Sequence, residues 1–385
     1  MFRYFPNNYM WSLAVLRCLA GGGHFGEISW ACEGLSEAAK QQPNGDVEAW
    51  HAAWDKLAKQ VEQVGVASER SGALITAANA FYRASQYYQW SEAFLSPDDP
   101  RAAPTYERHL QTFASFARVS SHRVEIVDVP FESSSLKCYF IPAKGVSGKA
   151  PVVVLSDGLD GTKEEMFSAA LALSERGIAC LGMDGPGQGA TLRISGLPAR
   201  FDAECGVGAA IDYLTTRSDV DVDRVGIWAA SMGGYYAPRA AAFEKRVKAC
   251  VAWAAIYDYH AVWARRIGYQ SGKPISFSTE SALGTTGQHL LRIMGVTTWE
   301  AAMKKLESFR LADVAPKIDC AILIVHGEDD KQTTLAEAEA LFKHVGSQKK
   351  ELWVVRKSEG GAAHVQLDRP EPTMSRIADW LVSQL

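Results

Sequence analysis

Gly226-Ile-Trp-Ala-Ala-Ser231-Met-Gly-Gly234 is an apolar run that ends on a turn of small residues and opens onto a helical stretch at 235–243. A strand, a sharp turn and a helix in that order present the turn's central side chain beyond the strand end. The strained backbone there requires small residues two positions to either side. Ala229 and Gly233 meet that requirement, so Ser231 is a candidate nucleophile on an Ala-x-Ser-x-Gly turn. The plainer reading of the same residues is a serine capping a helix N-terminus. What surrounds the stretch decides between the two.

Apolar runs of strand length flank it at 152–155, 179–183, 250–254, 322–325 and 352–355, with 225–228 leading into the turn itself. Segments of helical length separate them. Continuous apolar strands alternating with helices predict an α/β fold with a mostly parallel, doubly wound sheet covered on both faces. Ahead of these runs, Val124, Ile126, Val127 and Val129, then Leu136, Cys138 and Phe140, show period-two spacing around a polar turn at 132–135. That spacing predicts a hairpin forming the antiparallel edge of the sheet. The step from Ile126 to Val127 moves the apolar set to the other face and predicts a bulge near Asp128.

Residues 1–120 carry helical spacing instead, as in Met10, Leu13, Leu16 or Trp50, Trp54, Leu57, Val61 or Ala77, Phe81, Ala84, Tyr88. The predicted organisation is a helical domain over 1–120 and a sheet domain over 121–385. A helical insertion at 257–315, too long for an ordinary loop, would act as a cap.

Composition narrows the function classes. The 385 residues are 47% apolar and 22% charged, close to the globular average. Forty basic against 44 acidic residues leave a charge of -4 with no basic block, which argues against nucleic acid as a partner. Seven scattered cysteines without a Cys-x-x-Cys pair suggest buried thiols in a reducing compartment. The apolar run at 10–20 imitates a signal peptide, but Arg17 interrupts it and helical sequence follows. No stretch approaches the roughly 20 apolar residues of a membrane span. A cytoplasmic protein with no membrane contact is the expectation. Asp184-Gly-Pro-Gly-Gln-Gly189 lacks the spacing of a dinucleotide fingerprint, and none of the nine histidines forms a metal-binding cluster. No cofactor or metal is expected.

A serine hydroxyl becomes a nucleophile only when a base takes its proton, and that base needs a third group to hold its tautomer. The run at 322–325 leads into His326-Gly-Glu-Asp-Asp330, and the run at 352–355 into Ser358-Glu-Gly-Gly-Ala-Ala-His364. Singly, these are a solvated acidic turn and a solvated loop histidine. Together, in the order serine, acid, histidine and each beyond its own strand, they predict a triad of Ser231, Asp330 and His364, with Asp329 as rival acid. An oxyanion needs two donors. The Met232 N–H follows the nucleophile, and the Leu159 N–H lies in Ser156-Asp-Gly-Leu-Asp-Gly161, the loop after the first parallel strand.

Four stretches, Asp157 to Glu165, Asp184 to Gly189, Ser231 to Tyr236 and Trp253-Ala-Ala-Ile-Tyr-Asp258, resemble the 2,6-dihydroxypseudooxynicotine hydrolase branch of the α/β hydrolases. That branch also takes in esterase-like fermentation-respiration switch proteins and fungal polyketide-shortening hydrolases, and the likeness covers nearly the whole chain. It implies an α/β-hydrolase fold with an N-terminal helical domain that closes over the site. It also implies the triad named above, Leu159 in the oxyanion loop, and cleavage of a carbon-carbon bond beside a ketone in an aryl ketone or β-diketone. Where the nicotine-degrading member carries an acidic substrate contact, this sequence has Arg265 and Arg266, which favours an anionic or phenolic small molecule. A closed aromatic pocket would suit a carbanion-like leaving group, with Tyr82, Tyr88 and Trp90 as candidate lining. A carboxylesterase with the same triad and a non-catalytic binding protein are the alternatives. A homodimer is expected only by analogy.

Overall fold

The computed structural model describes residues 2–41, 43–268 and 277–385. They fall into two compact units, one of residues 126–268 and 291–385, the other of residues 2–41, 43–125 and 277–290.

The second unit carries helices α1 (Tyr9–Ala20), α2 (Phe25–Cys32), α3 (Val47–Arg70), α4 (Leu74–Glu92) and α5 (Ala102–Val119). Two starts are capped by side chains, Asn8 accepting from the Trp11 N–H and Asp46 from the Ala49 N–H. Its core is aromatic: Trp50 lies 4.7 Å from Trp11, 4.9 Å from Trp54 and 5.1 Å from Phe94, centroid to centroid. The Trp50 indole N–H donates to Trp90 O at 2.7 Å, whereas the buried indole N–H groups of Trp11, Trp54 and Trp90 meet no acceptor among the described residues. The run that imitates a signal peptide is α1, with Trp11, Leu13, Ala14, Val15, Leu16 and Cys18 buried.

The first unit is built on eight strands: β1 (Glu125–Phe131), β2 (Ser134–Ile141), β3 (Ala150–Ser156), β4 (Ala179–Asp184), β5 (Val220–Ala230), β6 (Val247–Trp253), β7 (Ala321–Gly327) and β8 (Lys350–Val355). Their order across the sheet is β1-β2-β4-β3-β5-β6-β7-β8. The hairpin is the antiparallel edge, β2 running against β4, and every pairing from β4 to β8 is parallel. Helices α6 (Phe167–Ser174), α7 (Gly189–Arg193), α8 (Glu204–Thr215), α9 (Gly233–Phe243), α13 (Leu335–His344) and α14 (Pro370–Gln384) connect and cover the strands. A Cβ on Gly226 would meet Leu381 and Leu385 of the α14 side at 3.4 and 3.1 Å. The next residue, Ile227, instead faces a cavity shared with Val207 of α8. Both faces of β5 are therefore covered, which is why its second half reads as an unbroken apolar run.

Three expectations change. β1 needs no bulge at Asp128: Val127, Val129 and Phe131 form one face, and Ile126 is simply 60% exposed. The insertion does not fall into one unit, because residues 277–290 group with the helical unit. α10 (Tyr259–Ile267) and α12 (Trp299–Leu306) belong to the sheet unit, and α11 (Phe277–Met294) lies between them in sequence. Cys205 is exposed, although Cys18, Cys32, Cys138, Cys180 and Cys250 are buried as expected. Among the described residues no helix is long and apolar enough to cross a membrane.

Candidate active site

Ser231 sits between β5 and α9 with φ 58, a left-handed conformation that costs a non-glycine residue about 1–3 kcal/mol. Hydrogen bonds hold it there, the Ser231 N–H donating to Trp253 O at 2.8 Å and the Gly234 N–H to Ser231 O at 2.7 Å. The small neighbours are a steric necessity. A Cβ on Gly233 would lie 2.6 Å from Ala229 Cβ and 2.9 Å from Asp157 O, and one on Gly234 would lie 2.6 Å from Ala254 O. On the other side the loop after β3 runs so close that a Cβ on Gly158 would stand 2.7 Å from Ser231 Cβ.

His364 arrives on the loop after β8, which turns through Gly360 (φ 72) and Gly361 (φ 81). Its Nε2 lies 2.9 Å from Ser231 Oγ and its Nδ1 2.7 Å from Asp330 Oδ2. An ionised carboxylate can only accept, so Nδ1 carries the proton and Nε2 is left to accept from the serine hydroxyl. Val365 (φ 43) and Gln366 (φ 49) follow in left-handed conformations. The buried Gln366 Oε1 accepts from Trp253 Nε1–H at 2.5 Å, tying the histidine loop to β6, the same strand that holds the serine backbone.

Asp330 follows β7. Its Oδ1 accepts from the N–H groups of Gln332 (2.7 Å) and Thr333 (3.0 Å), and its Oδ2 accepts from Thr333 Oγ1–H (3.1 Å) as well as from His364. Burial pushes this carboxyl up, but the positive field and hydrogen bond of His364, the field of His326 and the Thr333 N–H outweigh it and hold the carboxyl at about 2. His326 itself is buried and pushed down by that burial, and its Nε2–H donates to Thr333 O at 3.1 Å.

A carboxyl depressed on folding adds stability above its unfolded value of about 3.9, and that stability is lost as pH falls through the folded value. Urea unfolding is therefore expected to show wild type losing about 2 kcal/mol more than Asp330→Asn between about pH 5 and about pH 2.5. Equal losses would mean that the folded site does not hold the carboxylate in this way.

Asp330, not Asp329, is the acid brought to His364. Asp329 instead pairs with Lys331 at 2.6 Å and Lys357 at 3.2 Å. Neither the Met232 N–H nor the Leu159 N–H donates to another protein group among the described residues. Arg265 and Arg266 are drawn to protein partners rather than to the Ser231 cluster. Arg265 pairs with Glu337 at 2.8 Å, and Arg266 donates to Gln332 O at 2.8 Å and Oε1 at 2.6 Å. They brace the chain that follows Asp330. Tyr82, Tyr88 and Trp90 have places in the helical unit's own packing. The Tyr82 ring lies 5.0 Å from Phe116, Tyr88 Oη donates to Glu62 at 2.6 Å, and Trp90 is buried beneath Arg17. Two glutamines escaped the sequence reading, Gln366 and Gln188. Gln188 lies inside the Asp184–Gly189 stretch that carries the resemblance, but the sequence does not show that its partners come from another loop, and nothing marks Gln366.

A parallel sheet with a serine on a strained turn after its central strand, met there by a histidine and a carboxylate from later strands, defines an α/β hydrolase. The chain belongs to the α/β hydrolase family described as Serine aminopeptidase, S33, which residues 148–359 match. It is 30% identical to Hydrolase acrC of Aspergillus aculeatus across 100% of this chain and 98% of that one. Hydrolase LUC6 of a Fusarium species is also 30% identical, over 99% and 97%. Among solved structures, 2,6-dihydroxy-pseudo-oxynicotine hydrolase superposes with a TM-score of 0.79 at 23% identity, covering 96% of this chain and 95% of that one.

Proposed function

We propose that the protein is a cofactor-independent serine hydrolase that cleaves a carbon-carbon bond beside a ketone, in an aryl ketone or β-diketone. The observation that carries the hydrolase reading is the continuous relay Ser231 Oγ, His364 Nε2, His364 Nδ1, Asp330 Oδ2, with links of 2.9 and 2.7 Å. As Ser231 Oγ attacks the carbonyl carbon, its proton passes to His364 Nε2. The N–H groups of Met232 and Leu159 receive the oxyanion. Collapse re-forms the carbonyl and breaks the bond to the neighbouring carbon, which takes the proton from Nε2. Water, deprotonated by the same nitrogen, then releases the acyl group from Ser231 as a carboxylic acid.

The choice of bond rests on the resemblance carried by the Asp157–Glu165, Asp184–Gly189 and Trp253–Asp258 stretches. A carbanion is a poorer leaving group than an alkoxide, so conjugation with a ketone or phenol must support it. The test has two stages. A fluorophosphonate is expected to label Ser231 alone, as mapped by mass spectrometry. Matched aryl ketones, β-diketones and esters are then offered, and the products identified. Turnover of esters with no ketone in either class cleaved would leave a carboxylesterase. A folded protein that resists labelling would remove the serine mechanism altogether.

A further inference from the structure

Gln188 is 2% exposed and has all four hydrogen-bonding positions of its carboxamide engaged. Oε1 accepts from Ser156 Oγ–H at 2.7 Å and the Gly185 N–H at 3.0 Å, and Nε2 donates to Asp157 O at 2.5 Å and Gly158 O at 2.9 Å. The amide cannot be turned over, because the Gly185 N–H must meet an oxygen and two carbonyls must meet hydrogens. One side chain on the loop after β4 thus grips two successive peptide groups on the loop after β3.

The second of those groups matters most. The Gly158 carbonyl and the Leu159 N–H belong to one planar, trans peptide unit, so fixing the carbonyl on one edge fixes the N–H on the opposite edge. That unit begins at a glycine, which must be a glycine because a Cβ there would strike Ser231. Glycine also imposes the least resistance to rotation of the adjoining peptide. The requirement that lets the loop approach the serine therefore leaves its orientation undefined unless something outside the loop sets it.

Gln188 is itself held firmly. Gly187 (φ 88) and Gly189 (φ 38) flank it in conformations that let the backbone turn the side chain inward. Just ahead, Asp184 accepts from the N–H groups of Lys163 and Ala190, both at 2.8 Å, and its carbonyl accepts from Thr191 Oγ1–H at 2.6 Å. The grip on the β3 loop thus has a rigid origin.

We propose that Gln188 is a positioning residue for the oxyanion: it locks the Gly158–Leu159 peptide in the orientation that presents the Leu159 N–H to the reacting carbonyl at Ser231. This rests on the serine-hydrolase reading above and adds a group to it that touches no substrate. Gln188→Glu tests it with the least change in shape. The variant keeps an oxygen for Ser156 and Gly185 but turns a second oxygen toward two carbonyls. Gln188→Leu removes all four bonds.

The readout is the second-order rate at which a fluorophosphonate labels Ser231, with kcat and KM measured on whichever ester or ketone wild type turns over. Both variants are expected to label about a hundredfold more slowly, the effect of losing one oxyanion donor, with kcat falling and KM within about threefold. Should the leucine variant fail to fold, the isosteric glutamate variant decides. Wild-type rates in the folded glutamate variant would overturn the proposal. So would a slow rate matched by an equal rise in KM, because that is what general loosening of the site produces. Wild type that is itself unlabelled overturns the hydrolase reading and this inference with it, whereas a labelled wild type with unaffected variants overturns this inference alone.

Discussion

Asp330→Asn is expected to slow the reaction at Ser231 by about 10⁴-fold while leaving the protein folded, an effect known from other serine-histidine-aspartate sites. The reason lies in how the four acceptances of Asp330 are divided. Oδ1 receives two backbone N–H groups, from Gln332 and Thr333, and backbone donors cannot be exchanged for acceptors. An asparagine must keep its oxygen on that side and turn its amino group toward His364. Nδ1 then has to accept, the ring proton moves to Nε2, and the nitrogen that faces Ser231 Oγ at 2.9 Å can no longer take a proton. The volume is unchanged and the loop bonds at Oδ1 survive, so the variant still folds, short of the roughly 2 kcal/mol that the carboxylate adds near neutral pH, and the larger loss falls on rate. Fluorophosphonate labelling of the variant beside wild type measures it. A loss of less than about tenfold would mean that the tautomer of His364 is set by something other than Asp330.

The largest effect on stability is expected at Lys163. Its ammonium, 3% exposed, lies 2.8 Å from Asp184 Oδ2 and 2.9 Å from Glu164 Oε1, two carboxylates that are 1% and 0% exposed. Tyr139 closes the cluster, its Oη donating to Glu164 Oε1 at 2.6 Å and its ring centroid 4.6 Å from Nζ. Lys163→Met retains much of the packing but leaves two buried anions facing each other, at a cost of about 3–5 kcal/mol. Burial already raises the Asp184 carboxyl, with Lys163 opposing the rise and Glu164 adding to it. Without the cation it rises further. A carboxyl raised on folding stabilises the fold at low pH and loses that contribution as pH rises. Urea unfolding of Lys163→Met should therefore show part of the deficit at about pH 7 recovered at about pH 5, and a deficit independent of pH would point to packing alone.

The parts of the molecule that the sequence made visible are those in which a pattern lies along the chain. Strands β3, β4, β6 and β7 are buried on both faces, so burial alone writes them as apolar runs. The first half of β5, from Val220 to Arg224, is half-exposed and polar, and only its second half could be seen. Helix α5 falls within the stretch read as helical, but its own apolar period is faint for a similar reason. Its buried face includes Thr105, His109 and Thr112, whose polarity hides the helical period. The expected bulge at Asp128 fails because Ile126, though apolar, is exposed, so the apolar set never changes face. Ser231, Asp330 and His364 were legible because each follows a strand that could be drawn. Gln188 and Gln366 were not, because their meaning lies in which carbonyls and N–H groups the folded loops bring to them.

The strand order has a consequence in time as well as in space. Ser231 and His364 are 133 positions apart, and β6 and β7 stand between the strands that carry them. In the folded sheet the pairings of β6 with β5, β7 with β6 and β8 with β7 bridge the distance between them. Such long-range pairings are slow to form, because loop closure is paid in entropy before the contacts return it. A chain still being synthesised exposes its serine turn well before it possesses the imidazole that meets Ser231 Oγ in the folded protein. On the function proposed above, reactivity is then among the last properties the polypeptide acquires, and a half-made or half-folded molecule carries Ser231 as an ordinary alcohol.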